Sequence, residues 1–189
     1  GALGVTATSG PSICLKSEAM NLAVMDELPL VIVDVMRGGP STGLPTKTEQ
    51  TDLLQVLFGR NGESPMPVIA PTSPTDCFQA AFDACKMAVE YMTPVVVLSD
   101  AYIANGSGAW RLKALNDLPT ITPPMATSAL RATFSPYKRN DKTLARYWAT
   151  PGMPGFEHVI GGLEKDSSTG VIPNKPENHE RMTRLRASK

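Results

Sequence analysis

Nine consecutive residues, 28–36 (LPLVIVDVM), restrict the fold more than any other stretch of the chain. A strand with one wet face alternates apolar and polar side chains, and this run does not. Such a run suits a strand covered on both faces, as in a parallel sheet. Its single charged residue, Asp34, needs a partner if it is buried. Residues 95–100 (VVVLSD) form a second run of the same kind, and residues 3–8 and 66–70 are shorter β-rich segments. Helical stripes lie between them. Ile13, Leu15, Ala19, Met20, Leu22, Ala23 and Met25 form one helix reaching about Glu27, with Ser9 or Ser12 as its cap and Pro11 in the first turn. Residues 49–58 form a second helix, stopped by Gly59. A third starts at Ser73 and runs to Tyr91, where Thr93-Pro94 breaks it. The order β-α-β-α-β-α-β predicts an α/β fold: a doubly wound, mostly parallel sheet with helices on both faces.

After Ala109 the texture changes to Pro, Gly, Thr and charge. The chain therefore divides into a sheet domain, 1–109, and an extended arm, 110–189, that ends in a helix over 176–187 with Asn174 as its cap. Trp110, Phe134, Tyr137, Tyr147, Trp148 and Phe156 recur along the arm, which predicts an ordered segment lying across another surface rather than free linker. Lys plus Arg and Asp plus Glu number 18 each, so no global field draws nucleic acid or anionic lipid. No apolar run approaches the roughly 18 residues of a membrane span, and the amino terminus does not read as a signal peptide. Three cysteines, Cys14, Cys77 and Cys85, occur without a C-x-x-C. An odd count argues against a disulfide framework or a zinc site and for small core residues in a reducing cytoplasm.

Ligands of parallel sheets bind beyond the carboxyl ends of the strands. Two loops lie there. Residues 6–12 (TATSGPS) place Ser9, Gly10 and backbone N–H groups at a helix start, which suits an anion and equally suits a tight strand-to-helix turn. Residues 36–50 (MRGGPSTGLPTKTEQ) follow the most apolar strand. Arg37 stands where that strand leaves the sheet. It can grip a carboxylate or phosphate bidentately, or it can serve as a structural ion-pair partner. Gly38, Gly39 and Gly43 permit close backbone approach, Ser41, Thr42, Thr46 and Thr48 supply neutral hydroxyls, and Lys47 adds a second cation. Nucleotide-loop and nucleophile-elbow motifs are absent. Asp100 reads as a cap for the next turn, Asn105-Gly106-Ser107-Gly108 as a turn, and His158 and His179 as isolated residues.

At residues 36–50 the sequence resembles a known family. The segments VTATSGPS, PLVIVDVMRGGPSTGLPTKTEQTDLL, VVVLSDAYI, WATPGMPGFEH and PENHERM are similar to the alpha subunit of 2-oxoacid:ferredoxin oxidoreductases of the 2-oxoglutarate type, over essentially the whole chain. The resemblance implies part of a thiamine-diphosphate pyrimidine-binding domain. The whole enzyme would decarboxylate a 2-oxoacid oxidatively with coenzyme A and pass electrons to ferredoxin. A beta subunit would hold the diphosphate, Mg2+ and an iron–sulfur cluster. By position, Arg37 is the arginine expected on the substrate carboxylate, Thr46 the hydroxyl that helps hold 2-oxoglutarate, and Ser41 and Thr42 line the same loop. Ser9 and Gly10 are the residues expected to meet the cofactor. The STGLPT loop separates this type from relatives acting on branched-chain 2-oxoacids. The family's Y-P-I-T-P-type segment and cofactor-contacting Glu would precede Gly1, and further domains would follow. The chain thus resembles a fragment, expected to be inactive alone. A pyruvate or branched-chain oxidoreductase, or a non-catalytic anion-binding or assembly module, are the alternatives.

Overall fold

The computed structural model describes residues 1–45 and 47–189. Four strands, β1 (Gly4–Thr8), β2 (Leu30–Met36), β3 (Val68–Ile69) and β4 (Pro94–Asp100), form one parallel sheet in the order β1-β2-β4-β3. The two central strands are the two apolar runs, paired along their length from Leu30↔Pro94 to Met36↔Asp100. Alternation along them separates two cores. Ile32, Met36, Val96 and Leu98 face one side, where Ile13 of α1 (Gly10–Leu15), Met20 of α2 (Ser17–Asp26) and Val56 of α3 (Asp52–Phe58) cover them. Val31, Val95 and Val97 face the other side, under α4 (Cys77–Tyr91). The buried positions of α4 are Ala80, Ala84 and Ala88, four apart on one face, so small side chains let this helix lie close on the sheet. Burial of both faces is what the 28–36 run requires.

Five local expectations change. The helix expected up to Glu27 is two helices, because the chain turns at Lys16 (φ −98°, ψ 0°) between α1 and α2. Ser9 precedes α1 as its cap, yet its side chain makes no capping hydrogen bond; its carbonyl accepts from the Ser12 and Ile13 amides. The third strand shrinks to two residues, since only Val68 and Ile69 reach β4 at the sheet edge. The cap of the last helix, α6 (Pro176–Ser188), is Lys175 rather than Asn174, because Pro176 sets the first turn. Cys14 is exposed, not a core residue, whereas Cys77 and Cys85 are half-buried on α4, where burial pushes both thiols up.

In this chain the arm folds back on the base of its own sheet. Trp148 and Ala145 pack on Met92, and Phe156 packs with Ala126 and Ala149. Tyr137 is buried, while Trp110 stays partly exposed against Phe78, ring centroids 5.1 Å apart. Electrostatics fastens this contact. α2 ends on Glu27 in the left-handed region (φ 51°), and cations of the arm converge on that carboxyl end of the helix. Arg139 donates from Nε (3.0 Å) and Nη2 (2.6 Å) to Glu27 Oε1. Arg146 Nε lies 3.4 Å from the Glu27 carbonyl, and Lys189 Nζ lies 3.6 Å from Oε2. Arg146 is buried, which lowers its pKa, while Glu27 opposes the shift.

Removing the carboxylate leaves buried guanidinium groups without compensation, a loss of about 3–5 kcal/mol. Glu27→Ala is therefore expected to cost that much in urea unfolding. A double-mutant cycle with Arg139→Ala should show strong coupling between the two positions. Independent, additive losses would contradict this account of the arm.

Candidate functional site

The carboxyl ends of β1, β2 and β4 meet along one edge. Thr8 of β1 lies beside Asp34 and Asp34 beside Leu98, so Ser9, Arg37 and Asp100 leave the sheet as neighbours. The loop after β2 is closed on itself. The Gly38 amide donates to the Lys47 carbonyl (2.9 Å), the Gly39 amide to Glu49 Oε2 (2.8 Å), and the Gly43 amide to the Pro40 carbonyl (2.9 Å). Gly43 is required twice over. Its φ is +42°, and a Cβ there would stand 2.0 Å from the Gly38 carbonyl oxygen.

The far end of the loop is tied to the neighbouring strand. Gln50 Nε2 donates to Asp100 Oδ2 (2.8 Å), while Asp100 Oδ1 accepts the Tyr102 and Ile103 amides (2.8 and 2.9 Å) and caps α5 (Ala101–Asn105). Burial disfavours the Asp100 carboxylate, but these donors together hold its pKa below the usual carboxylate range. The capping role expected of Asp100 is thus present, with an anchoring role added.

Arg37 is half-buried at this edge. Its Nε is buried without a hydrogen-bond partner, and none of the ion pairs among the described residues uses it. Glu49, the acid of the same loop, accepts the Gly39 amide on Oε2 instead. The structural ion-pair alternative therefore has no partner among the described residues. Ser41 and Thr42 are exposed on the same loop. Thr46 lies outside the described residues. Ser9 and Gly10 stand at the α1 start, and the space beside the Gly10 Cα is taken by Asp52, whose Oδ1 would be 2.9 Å from an added Cβ.

Two carboxyl groups emerge that the sequence reading did not pair. Asp34 is fully buried and faces Asp52 at the first turn of α3. Asp52 precedes the buried Val56 by four residues, and that spacing is the signal that turns it toward the sheet. The isolated histidines are structural. His158 Nδ1 is 2.7 Å from the Phe156 carbonyl, and His179 pairs with Glu164.

The surface around the loop is apolar. Leu53, Leu54, Leu57 and Phe58 of α3 are exposed, Leu54 to 67% and Phe58 to 76%, and Leu44 of the loop and Leu15 of α1 are exposed as well. A cavity of about 620 Å³ lies at the opposite end of the sheet, between Gly4 and Leu30 and the arm residues Arg146, Trp148 and Phe156. Arg37 does not line it; Arg37 sits on the open edge. No helix of the described residues is long and apolar enough to cross a membrane.

Fold and edge together define a parallel α/β domain whose loops gather at the strand carboxyl ends, where sheets of this class bind ligands. The chain belongs to the pyruvate flavodoxin/ferredoxin oxidoreductase family, whose thiamine diphosphate-binding model matches residues 1–176. It is 59% identical to the 2-oxoglutarate oxidoreductase subunit KorA of Mycobacterium tuberculosis over 189 residues, all of this chain and 29% of that protein. It is 35% identical to the 2-oxoglutarate synthase subunit KorA of Methanothermobacter marburgensis over 185 residues, 97% of this chain and 48% of that one. The fold superposes on the 2-oxoglutarate:ferredoxin oxidoreductase of Magnetococcus marinus, solved with 2-oxoglutarate, coenzyme A and succinyl-CoA, with a TM-score of 0.87 and 36% identity. That match covers 99% of this chain and 32% of the other. The chain thus spans between a quarter and a half of the length of these relatives. The resemblance read from the motifs and the α/β class are both borne out.

Gly43→Ala is expected to open the loop, because an alanine must adopt a left-handed φ and displace a backbone carbonyl, costing about 1–3 kcal/mol locally. Hydrogen exchange at the Gly38 amide should accelerate by about 10- to 100-fold while exchange in β4 stays unchanged. Unchanged exchange at Gly38 would contradict the closed-loop geometry.

Proposed function

We propose that this chain is part of the alpha subunit of a cytoplasmic 2-oxoglutarate:ferredoxin oxidoreductase, and that its own contribution is to bind the carboxylate of the 2-oxoacid. One observation carries the reading: Arg37 stands at the carboxyl end of the central strand with no acidic partner among the described residues. A guanidinium recognises a carboxylate through two parallel hydrogen bonds, and such a charged pair is stronger in a water-poor site. Ser41 and Thr42 present hydroxyls on the same loop, and Thr46 is proposed as a further one. The names and ligands of the relatives support the 2-oxoglutarate type over pyruvate or branched-chain types.

The family's thiamine diphosphate finds unequal support among the groups of this chain. The edge offers Glu49, Asp52 and Asp100, with Asp34 buried beneath them, against the cations Arg37 and Lys47, a donor set unsuited to a diphosphate with its metal. Ser9, whose hydroxyl makes no capping bond, and the adjoining Gly10 suit the neutral pyrimidine end. When bound, the cofactor supplies the nucleophilic carbon and the electron sink for loss of CO2. This chain orients the acid, and its apolar rim excludes water. The exposed leucines of α3 are proposed to meet a beta subunit carrying the diphosphate, Mg2+ and iron–sulfur cluster, with ferredoxin and coenzyme A served by the whole assembly. In this reading 1–109 is the partial pyrimidine domain, 110–189 is the connecting arm, and the segment is inactive alone.

In the complete enzyme, Arg37→Ala should raise KM for 2-oxoglutarate and lower kcat/KM by about 10²-fold, as expected for loss of a charged hydrogen-bonded pair worth about 2–3 kcal/mol. KM for coenzyme A should hold steady. An unchanged kcat/KM for 2-oxoglutarate, or faster turnover of pyruvate by the unaltered enzyme, would contradict the assignment.

A further inference from the structure

Asp34 is the one charged residue inside the strand that forms the centre of the fold, and it has no solvent exposure. It shares the face of Ile32 and Met36, which α1 and α3 cover. Neither Asp34 oxygen has a donor among the described residues, and Asp52 Oδ2 is buried without one as well. The two carboxyl groups meet each other. Two carboxylates side by side in an apolar setting repel and lose hydration, whereas one shared proton turns the pair into a hydrogen bond. Among the described residues no positive charge relieves them. Of the elements packed on this face, α1 and the neighbouring β1 carry no charged side chain, α2 carries only the acids Glu18, which is exposed, and Asp26, and α3 carries Asp52 itself. From α5 the titratable side chain is Tyr102, which is exposed. Asp100 at the end of β4 is committed to Gln50 and the α5 amides. The remaining acid near the pair, Glu49, adds negative charge. No group of three or more His, Cys, Asp or Glu among the described residues has metal-binding geometry, so a cation is not the evident substitute for the proton.

We propose that Asp34 and Asp52 are positioning residues that hold one proton between them and thereby pin the start of α3, and with it the 37–50 loop, to the central strand. The loop is fastened at its near end by Gly38 and Lys47, at its far end by Gln50 on Asp100, and two residues later by Asp52 on Asp34. Burial, then the Asp52 charge, pushes the Asp34 carboxyl up to about 7, and burial raises Asp52 as well. The sign follows from linkage. A carboxyl whose folded pKa is raised keeps a proton that the unfolded chain has released, so stability falls as pH rises from about 4 toward about 7. The unfolded-to-folded ratio from this pair grows by up to about tenfold per pH unit in that window. Above it, the ionised pair loosens the loop. This inference does not need Arg37 to bind anything.

The test uses the full-length subunit in its assembled enzyme, comparing wild type, Asp34→Asn and Asp52→Asn between about pH 5 and 9. A neutral amide at either position supplies the donor that the proton provides. Both variants should therefore fold, should lose less thermal midpoint between pH 5 and 8 than wild type, and should equal or exceed wild type at pH 8. Hydrogen exchange in residues 38–50 should rise with pH in wild type and stay flat in Asp34→Asn. Failure of both variants to fold, or a wild-type pH dependence that both variants retain, overturns the shared proton. A rise in midpoint on adding Mg2+ or Ca2+ to wild type but not to Asp34→Asn also overturns it in favour of a metal. A KM for 2-oxoglutarate that rises with pH in wild type but not in Asp34→Asn would link the pair to the proposed substrate loop. If the stability and exchange results hold while KM does not respond, the shared proton stands and the reading of the loop as a substrate site is what fails.

Discussion

The structure depends on the pairing of β2 with β4 under two apolar covers. Each strand presents valine, isoleucine or leucine to both faces, so the sheet can exist only with α1, α2 and α3 on one side and α4 on the other. That arrangement leaves the polar groups of the central strands one outlet, the carboxyl edge, where the chain emerges into loops. Arg37, Asp100 and the 37–50 loop are there because the strands end there. Asp34 is the exception. It lies one position too deep to reach that edge and is resolved by a second carboxyl group instead of by water.

The loop illustrates how a flexible composition becomes a fixed shape. Glycines and hydroxyl residues alone would describe a mobile segment. Four constraints convert it into a closed one: the Gly38–Lys47 backbone bond, the Gly39 amide on Glu49, the Gln50–Asp100 bond and the Asp34–Asp52 pair. Glu49 and Asp52 are drawn into holding the loop, and among the described residues Arg37 is left without a protein acid. A cation whose nearby carboxylates are already committed is suited to accept one from outside. The same logic works at the other end of the sheet, where Arg139, Arg146 and Lys189 are consumed by Glu27 and the end of α2 and serve to hold the arm.

Much of this was legible in the sequence because it follows from local periodicity. The two unbroken β-branched runs located the central strands and required parallel pairing, and Gly59 and Thr93-Pro94 marked real ends. Arg37 was legible as a cation at a strand exit. The split at Lys16 was not, because one apolar stripe passes through both α1 and α2. The third strand was overestimated, since its length depends on how far β4 accompanies it. The arm's return to its own sheet was hidden because it rests on pairs more than a hundred residues apart, such as Glu27 with Arg139. Asp34 announced its need for a partner, but the partner's identity depended on how the loop folds.

The central claim concerns what Arg37 grips. A structure of the assembled enzyme with 2-oxoglutarate bound tests it most directly. The account predicts both guanidinium Nη atoms, or Nε and one Nη, within about 3 Å of one carboxylate of the ligand. A ligand carboxylate held by other groups, with Arg37 paired to a protein acid, would contradict it.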